Sequence, residues 1–311
     1  MRCTRVPTWA WLYSGTLLLL TLATTTIIRT RRETSCSSGE VRKCLRRRLR
    51  APLTWRDAQL LRYVRARMEP PPRVTSPLHP KNPPWAHLPT YNATQTYIMA
   101  LTQGKVDGVF VEVGAQDGLW LSNTWWLEAA RGWRGLLIEA DPRNYQLLRA
   151  SPRASSTLPF CVTTNLKVAK EQMVRTRSPS NATMGLLRTH QGRSKLSRYA
   201  TETDLWAGQT WNTTCYSLFT VLAAAKYRQI DLLTFDVSGG GLEMTSEFLL
   251  MNNRLGKPYH VQLILYQDSL LEQFFNLDEV RENFQSYGYN LLKMGQVHYL
   301  IYHHSFNVVI A

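Results

Sequence analysis

The sequence predicts a doubly wound α/β domain with a mostly parallel sheet, preceded by an N-terminal transmembrane helix. The domain is predicted because runs of apolar and β-branched residues alternate with helical segments from residue 91 onwards. Hydrophobic residues make up 44% of the 311 residues, which is enough for a sizeable core. The transmembrane helix is predicted because residues 6–28 contain no charged side chain, and about 20 apolar residues span a bilayer.

The uncharged segment 6–28 has three interpretations. As a signal-anchor it leaves residues 1–5 as a cytosolic tail, and as a cleaved signal peptide it is cut near residues 23–25. As a buried core helix it would end too abruptly, because Arg29, Arg31 and Arg32 follow at once. We favour the signal-anchor, which predicts a single-pass, type II membrane protein.

Residues 29–90 are predicted to form a basic, proline-rich stem. The net charge of the chain is +15, and arginine is concentrated between residues 29 and 73. A basic collar beside the membrane is favoured over a nucleic-acid groove because no base-stacking motif accompanies the arginines, so nucleic acid is not an expected partner. A short amphipathic helix is predicted from Thr54, as its N-cap, to Val64, packed on the body or lying on the membrane. The prolines of residues 69–89 then predict an extended spacer.

Three N-x-[ST] sequons follow the apolar segment, at Asn92, Asn181 and Asn212. Glycosylation at these sites predicts a lumenal or extracellular body, in the endoplasmic reticulum, Golgi or endosomal system or at the plasma membrane. An oxidising compartment also suits four of the cysteines, whose three pairings the sequence leaves open: Cys36, Cys44, Cys161 and Cys215. No C-x-x-C motif or Cys/His cluster occurs, so no metal site is predicted.

The domain of residues 91–311 is predicted to start with a helix over 94–102 and a buried strand over 108–114. A helix capped by Asn123, a strand over 135–139 and a helix with Pro142 in its first turn follow. Further strands are predicted over 231–236 and 260–266, with an antiparallel edge pair near 291–292 and 299–302.

Acidic residues follow three of these strands: Glu112 or Asp117, then Glu139, then Asp236. Ligands of open α/β sheets bind beyond the carboxyl ends of the strands. A carboxylate at the end of the second strand is well placed to accept hydrogen bonds from ribose hydroxyls. For Glu112 the alternative is a cap or an ion pair with an arginine, and for Asp117 the alternative is a turn.

The loop after the first strand carries Gly114 and Gly118, which permit tight turns and close backbone approach. The loop does not match G-x-G-x-x-G, which argues against a dinucleotide site. The combination predicts a ligand that contains adenosine but no pyrophosphate, such as S-adenosylmethionine.

Three segments together resemble the FkbM-type methyltransferase family, in particular its membrane-anchored Star-like branch: GVFVEVGAQDG (108–118), SNT (122–124) and GWRGLLIEADP (132–142). The resemblance implies a Rossmann-like fold of the class I methyltransferase type with S-adenosylmethionine as cofactor. It implies that Glu112, Gly114 and Gly118 line the methionine and ribose end of the pocket and that Glu139 holds the ribose. Asp117, in the same loop, is a further cofactor-binding candidate.

The segment after the fourth strand departs from the family pattern D-V-E-G-x-E. It reads DVSGGG (236–241), so Asp236 remains while both glutamates are replaced. Asp236 is therefore the best catalytic candidate as well as a cofactor-binding candidate. Loss of a general base removes a contribution of typically about 10²–10⁴-fold in rate. The glycines predict a flexible loop, with an anion-binding nest as the alternative.

Two functions are consistent with the sequence, and whether the chain is an enzyme stays open. The Star-like resemblance implies a non-catalytic protein that helps client membrane proteins, such as growth-factor precursors, to leave the endoplasmic reticulum. The alternative is an active S-adenosylmethionine-dependent O-methyltransferase that acts on a lumenal glycan or a small hydroxyl compound.

Overall fold

The structure, a computed structural model, describes residues 54–72, 89–176, 194–267, 276–294 and 298–306. All of these residues belong to one compact unit that spans Pro52–Ala311. The predicted tail, the apolar segment and most of the stem lie outside the described residues, as do Cys36, Cys44 and Asn181. No helix in the described ranges is both long enough and apolar enough to cross a bilayer.

Helices and strands alternate along the described chain, as the sequence predicts. The helices are α1 (Ala58–Arg65), α2 (Pro89–Leu101), α3 (Trp125–Arg131), α4 (Pro142–Ala150), α5 (Glu202–Ala207), α6 (Leu218–Ala225), α7 (Gly241–Arg254) and α8 (Leu277–Ser286). The strands are β1 (Val109–Val113), β2 (Arg134–Ile138), β3 (Ser156–Leu158), β4 (Cys161–Thr163), β5 (Ala169–Arg175), β6 (Ser194–Leu196), β7 (Gln209–Ser217), β8 (Gln229–Phe235), β9 (His260–Gln267), β10 (Tyr289–Met294) and β11 (His298–His303).

Seven of the described strands form the central sheet, in the order β3-β2-β1-β8-β9-β11-β10. The first five run parallel, whereas β11 is antiparallel to both β9 and β10. The chain proceeds outwards from β1 to β3 and later places β8 on the other side of β1, so the β1–β8 boundary is the topological switch point. The doubly wound, mostly parallel sheet is confirmed, together with the antiparallel pair.

The register of the central sheet brings three predicted site residues to one edge. The last residue of β1 pairs with the last residues of both β2 and β8. Gly114, Glu139 and Asp236 are the next residues along these three strands. They therefore meet at the carboxyl ends of neighbouring strands, which is where sheets of this type bind ligands.

Two glycines allow the central strands to pack closely. A Cβ atom on Gly135 of β2 would overlap the carbonyl oxygen of Phe110 in β1. A Cβ atom on Gly108 would lie 2.5 Å from the ring of Trp133, a side chain that is fully buried. Glycine is required at both positions because no larger residue fits between the backbone and its neighbour.

A second sheet, with the order β4-β7-β5-β6, also lies in the described residues, and the sequence patterns did not predict it. Cys161 and Cys215 face each other across β4 and β7 and form a disulfide, which decides the pairing of two of the four cysteines. Arg175 of β5 and Ser194 of β6 both donate hydrogen bonds to Asp141, the N-cap of α4. These bonds attach the second sheet beside the carboxyl edge of the first.

The short helix predicted in the stem packs on the domain. Asp57 caps the N-terminus of α1 by accepting hydrogen bonds of 2.9 and 3.0 Å from two helix N–H groups, so the predicted cap at Thr54 is wrong. Trp55 packs edge-on against Phe219 of α6, with ring centroids 5.9 Å apart. The hydroxyl of Thr220 donates a hydrogen bond of 3.0 Å to the carbonyl of Trp55. Of the two predicted alternatives, packing on the body is the observed one.

Further contacts hold residue 69 against the central sheet. Glu69 and Thr157 of β3 exchange two backbone hydrogen bonds of 2.9 Å. The Glu69 carboxylate also pairs with Arg149 of α4 at 2.6 Å. The folded body therefore includes residues that the sequence assigned to the stem.

The helix after β1 starts slightly later than predicted. α3 begins at Trp125, with Thr124 rather than Asn123 at the N-cap position. The hydroxyl of Ser122 accepts hydrogen bonds from the N–H groups of Thr124 and Trp125, at 3.3 and 3.2 Å. A neighbouring serine thus supplies the capping oxygen that was predicted for Asn123.

Candidate cofactor-binding site

A narrow cavity opens at the carboxyl ends of β1, β2 and β8. Gly114, Glu139 and Asp236 line it on the side of the central sheet, and residues of the second sheet line it on the other side. Its volume is about 60 Å³. One water molecule needs roughly 10–15 Å³ on the same measure, so the cavity has room for a few waters.

Gly114 allows the loops after β1 and β8 to approach each other. Its φ angle is +87°, and a Cβ atom there would overlap the carbonyl oxygen of Asp236. Only glycine combines this left-handed backbone with so close a contact. The Asp236 N–H also donates a hydrogen bond of 2.9 Å to the carbonyl of Val113, which fixes the two strand ends together.

Glu139 is the side chain best placed to hold the hydroxyl groups of a ligand. Its Oε2 accepts a hydrogen bond of 2.8 Å from the N–H of Gln116, and its Oε1 accepts one of 2.7 Å from the N–H of Asp141. Each carboxylate oxygen has two lone pairs, so each can accept one further hydrogen bond.

Burial strongly affects the charge of Glu139. It raises the pKa of Glu139 to about 7, although the two backbone hydrogen bonds lower it, and the nearby carboxylates of Asp141 and Asp236 raise it further. Near neutral pH this carboxyl group is therefore divided between its charged and neutral forms.

Asp141 stays ionised in the same region. Burial alone would raise its pKa, but hydrogen bonds from Arg175 and Ser194 hold the pKa of Asp141 below its usual value. Its Oδ1 also accepts a hydrogen bond of 2.8 Å from the N–H of Arg143, in the first turn of α4. Asp141 therefore caps the N-terminus of α4, and it also joins the two sheets.

The second sheet and the segment before it give the cavity an apolar wall. The wall is formed by Phe160, Cys161, Val162, Met173 and Leu196. Phe160 stacks on Tyr216 with ring centroids 4.4 Å apart, and Tyr63 of α1 stacks on Phe160 at 5.8 Å. An apolar wall opposite a hydroxyl-binding carboxylate suits a nucleoside, because the base is flat and the ribose carries hydroxyls.

Glu112 does not line this cavity. Successive side chains of a strand point to opposite faces, and in β1 it is Val113 that faces the cavity. The buried Glu112 carboxylate instead accepts hydrogen bonds from the Ser122 hydroxyl (2.9 Å), the Asn123 N–H (3.0 Å) and the Thr124 hydroxyl (2.6 Å). The structure thus places Glu112 in the alternative role of binding the loop before α3.

Arg153 completes this buried cluster and is only 1% exposed. Its Nη1 lies 3.9 Å from Glu112, and its Nε lies 3.3 Å from Glu128. Its guanidinium also donates hydrogen bonds to the carbonyl of Gly118 (2.5 Å) and the hydroxyl of Thr124 (2.8 Å). Burial raises the pKa of Glu112, while Arg153 and the surrounding hydrogen bonds oppose that rise. The cluster fixes the loop between β1 and α3.

The remaining two candidates in this loop serve the loop itself. Oδ1 of Asp117 accepts hydrogen bonds of 2.9 and 2.8 Å from the N–H groups two and three residues later, as in a turn. Gly118 has a φ angle of +78° and packs against Leu148 and Arg153. Neither is among the described residues that line the cavity.

The glycine-rich segment after β8 is closely packed, so the predicted flexible loop is wrong. A Cβ atom on Gly240 would lie 2.6 Å from the ring of Tyr199, and one on Gly241 would lie 2.6 Å from the carbonyl oxygen of Gln267. Gly239 has a φ angle of +81°. These glycines let the backbone approach its neighbours, which explains why side chains are missing there.

Tyr199 lines the cavity beside this segment, and the sequence did not point to it. Its hydroxyl donates a hydrogen bond of 2.6 Å to Glu243 in the first turn of α7. Burial raises the pKa of Tyr199 to about 12, and the bond to Glu243 contributes. Tyr199 is therefore a neutral hydrogen-bond donor at physiological pH.

The family model of the methyltransferase FkbM domain matches residues 112–291, which is 180 of the 311 residues. The chain belongs to the FkbM-type methyltransferase family. This match confirms the family predicted from the three sequence segments. A sequence search against curated proteins gives no significant match.

The FkbM chain is also similar in fold to solved methyltransferases. The METTL16 methyltransferase domain (crystal form 2) has a TM-score of 0.37 at 9% identity, with 66% of this chain and 64% of that chain covered. The present chain therefore spans slightly less than two thirds of the METTL16 chain. Precorrin-6y C5,15-methyltransferase from Geobacter metallireducens has a TM-score of 0.33 at 11% identity and coverages of 67% and 85%. A SAM-dependent methyltransferase from Aquifex aeolicus has a TM-score of 0.34 at 9% identity and coverages of 72% and 93%. Similarities at these TM-scores are too low to assign a fold, and the fold is assigned from the strand order and the family match.

The segment after β8, which differs from the FkbM family pattern D-V-E-G-x-E, lies beside the cavity. Ser238 and Gly241 replace the two glutamates of the family pattern, and Ser238 lines the cavity where the first glutamate would stand. Asp236 is the acidic residue of that pattern that remains. The nearby Glu243 is outside the cavity lining and is engaged by Tyr199.

The residues around the cavity fit S-adenosylmethionine in their chemistry. Glu139 has the free lone pairs for ribose hydroxyls, Gly114 leaves the backbone bare, and Phe160 with Val162 offers an apolar surface for the base. When bound, this cofactor supplies an activated methyl group. The present opening is narrow, so a whole nucleoside requires the walls to separate.

Proposed function

We propose that this chain is a membrane-anchored FkbM-type protein that keeps a nucleoside-binding cavity but not the acidic residues for transfer, and that it assists the export of client membrane proteins. The observation that carries the proposal is the contrast within one cavity. Glu139 retains both of its outward lone pairs, whereas Ser238 and Gly241 stand where the family has glutamates.

The packing of Tyr199 supports the loss of methyl transfer. Tyr199 packs on Gly240, at the edge of the cavity where acidic side chains would project in the family pattern. A protein that binds client proteins needs a stable surface, whereas only methyl transfer needs an open site for the acceptor molecule.

Three features support a lumenal or extracellular body. The disulfide between Cys161 and Cys215 is buried, and such bonds persist in oxidising compartments. Asn92 and Asn212 are exposed, as glycan acceptors must be. We expect a mobility shift on glycosidase treatment that becomes smaller by one glycan in each of the variants Asn92→Gln, Asn181→Gln and Asn212→Gln. A full-length chain that shows no shift would contradict the lumenal placement.

Cofactor binding is tested by calorimetry on the full-length chain with S-adenosylhomocysteine. Binding that Glu139→Ala abolishes and that the exposed control Glu202→Ala leaves unchanged supports a nucleoside cavity. Binding that persists in Glu139→Ala would refute the assigned site.

Export is tested in cells that lack the protein, by following how fast a growth-factor precursor acquires Golgi-type glycans. The proposal expects full rescue by wild type and by Asp236→Asn, because no transfer step is needed. Rescue by wild type but not by Asp236→Asn would refute the non-catalytic role.

A second candidate is an active O-methyltransferase for a lumenal glycan or a small hydroxyl compound. The observation in its favour is that Asp236 and Glu139 still line one cavity, where the Asp236 carboxylate helps to raise the pKa of Glu139. Transfer of labelled methyl groups to lumenal glycans by wild type, absent with Asp236→Asn, would establish it in place of the first proposal.

A further inference from the structure

The edge of the central sheet opposite the cavity carries an excess of positive charge. Here β8, β9 and β10 begin and β11 ends, because β11 runs antiparallel to its neighbours. Six exposed cationic or titratable side chains lie on this edge, and we name them the basic face: Arg56, Lys226, Arg228, Lys257, His260 and His304.

These side chains are close in space. Arg56, Lys226 and Arg228 line one cavity, and Lys257 and His260 line a second. Tyr259 lines both cavities, so the two are adjacent.

The half-buried His303 lies behind this second group. Burial lowers the pKa of His303, and the charges of His304, Lys257 and His260 lower it further, which shows that positive groups surround it.

The basic face has little matching acidic charge in the described part of the chain, because Asp231, at the start of β8 on the same edge, is already paired with Lys105 at 2.7 Å. Neither cavity is lined by an aspartate or a glutamate. No ion pair to another described residue involves any side chain of the face. The nearest acid in sequence is Asp57, whose carboxylate caps α1.

Helix dipoles account for only part of this charge. A cation at a helix C-terminus is stabilised by the helix dipole, and Lys226 occupies that position after α6. Arg56 precedes a helix, and His260 begins a strand. Charges placed away from helix ends increase repulsion in the folded chain, so a ligand is the better explanation for them.

We propose that the basic face binds a sulfated polysaccharide. The two cavities have volumes of about 760 and 220 Å³. One water needs roughly 10–15 Å³ on that measure, so each cavity accommodates an anionic group. Arg228 and Lys257 can each bind one sulfate, and Asn253 and Ser305 beside the second cavity offer hydrogen bonds to sugar hydroxyls.

Two other polyanions fit this face less well. A membrane surface favours flat regions with exposed apolar side chains, but none of the large exposed apolar residues among those described lines either cavity: Val106, Leu147, Leu205 and Trp206. Nucleic acid is disfavoured because the disulfide between Cys161 and Cys215 indicates an oxidising compartment.

The test compares two full-length variants that lose the same charge. The face variant carries Arg56→Gln, Arg228→Gln and Lys257→Gln. The matched control carries Arg143→Gln, Lys167→Gln and Lys170→Gln, all exposed residues near the opposite edge or on the second sheet. Both keep the arginine-rich stem, so its contribution to binding is the same.

Binding of a heparin oligosaccharide is measured by calorimetry at physiological salt, and thermal midpoints confirm that both variants are folded. We expect the face variant to bind about tenfold more weakly, because three close charge contacts are lost. The control should change by less than about twofold, since distant charges are screened.

Equal weakening in both variants, or none in the face variant, would overturn the proposal. It would also be overturned if an RNA duplex or phosphatidylserine vesicles depended on the face while the oligosaccharide did not. A fully desulfated oligosaccharide serves as the ligand control and should not bind.

Discussion

Removal of the disulfide between Cys161 and Cys215 should lower the stability of the domain substantially. The bond joins residues separated by 54 positions. In the chain-entropy treatment, a loop of that length restricts the unfolded chain by roughly 14 cal/mol/K, or about 4 kcal/mol at room temperature. For a domain of this size, each kcal/mol corresponds to a shift of about 2–4 °C in the melting temperature. Reduction should therefore lower the midpoint by about 8–16 °C.

The assay is thermal unfolding of the full-length chain with and without dithiothreitol. Reduction is a cleaner perturbation than mutation because Cys161 and Cys215 are 6% and 0% exposed, so a substitution also removes buried atoms. The double variant Cys161→Ala/Cys215→Ala should melt low and lose its sensitivity to reductant. The control Cys36→Ala/Cys44→Ala should keep that sensitivity. Oxidised and reduced wild type that melt within about 2 °C of each other would refute the calculation.

Three further outcomes follow from the structure. The folded-state pKa of Glu139 is about 7, above its ordinary 4.5, so its contribution to folding stability is complete below pH 4.5 and is lost as pH rises through about 7. Ligand hydroxyls donate hydrogen bonds best to the charged form of Glu139, so the affinity for S-adenosylhomocysteine should rise from about pH 6 to about pH 8. An affinity that does not change over this pH range would contradict the prediction. In urea denaturation, Gly135→Ala should lower the free energy of unfolding by more than about 3 kcal/mol or prevent folding, whereas Gly256→Ala should lower it by about 1 kcal/mol, because Gly256 has a φ of +75° and open space around it. Similar losses in the two variants would refute the packing argument. Arg153→Met should cost about 3–5 kcal/mol in the same assay because two buried carboxylates lose their cation, and a cost below about 1 kcal/mol would show that the cluster does not depend on the ion pair.

The parts of the fold that sequence predicted are those with strong local signals. Buried parallel strands are continuous apolar runs, and Pro142 and Asp141 mark a helix start through their own chemistry. The strand ends then follow from sheet geometry, which is why Glu139 and Asp236 were placed correctly at one edge.

The second sheet was not predicted because its strands are short or carry mixed side chains. β5 reads AKEQMVR and β7 reads QTWNTTCYS, with polar residues on much of their length. Such strands are stabilised by pairing with each other rather than by a local pattern. The side of the cavity wall that includes Cys161 and Tyr199 was consequently missed.

The location of Glu112 depends on the direction of its side chain rather than on its place in the sequence. A motif fixes which residue lies near a strand end, but the strand alternates between two faces. Val113 took the face towards the cavity, and Glu112 took the face towards Arg153. Because Glu112 and Val113 are neighbours in β1, their side chains point to opposite faces of the sheet, and Glu112 has a structural role instead of the predicted ligand-binding one.

The cavity and the basic face lie at opposite ends of β8, a strand of seven residues. That strand spans about 20 Å, which exceeds the Debye length of about 8 Å in physiological salt. Charge introduced at one end is therefore hardly felt at the other. A nucleoside and an anionic chain should occupy this protein simultaneously and additively, so saturation with one leaves the dissociation constant of the other unchanged.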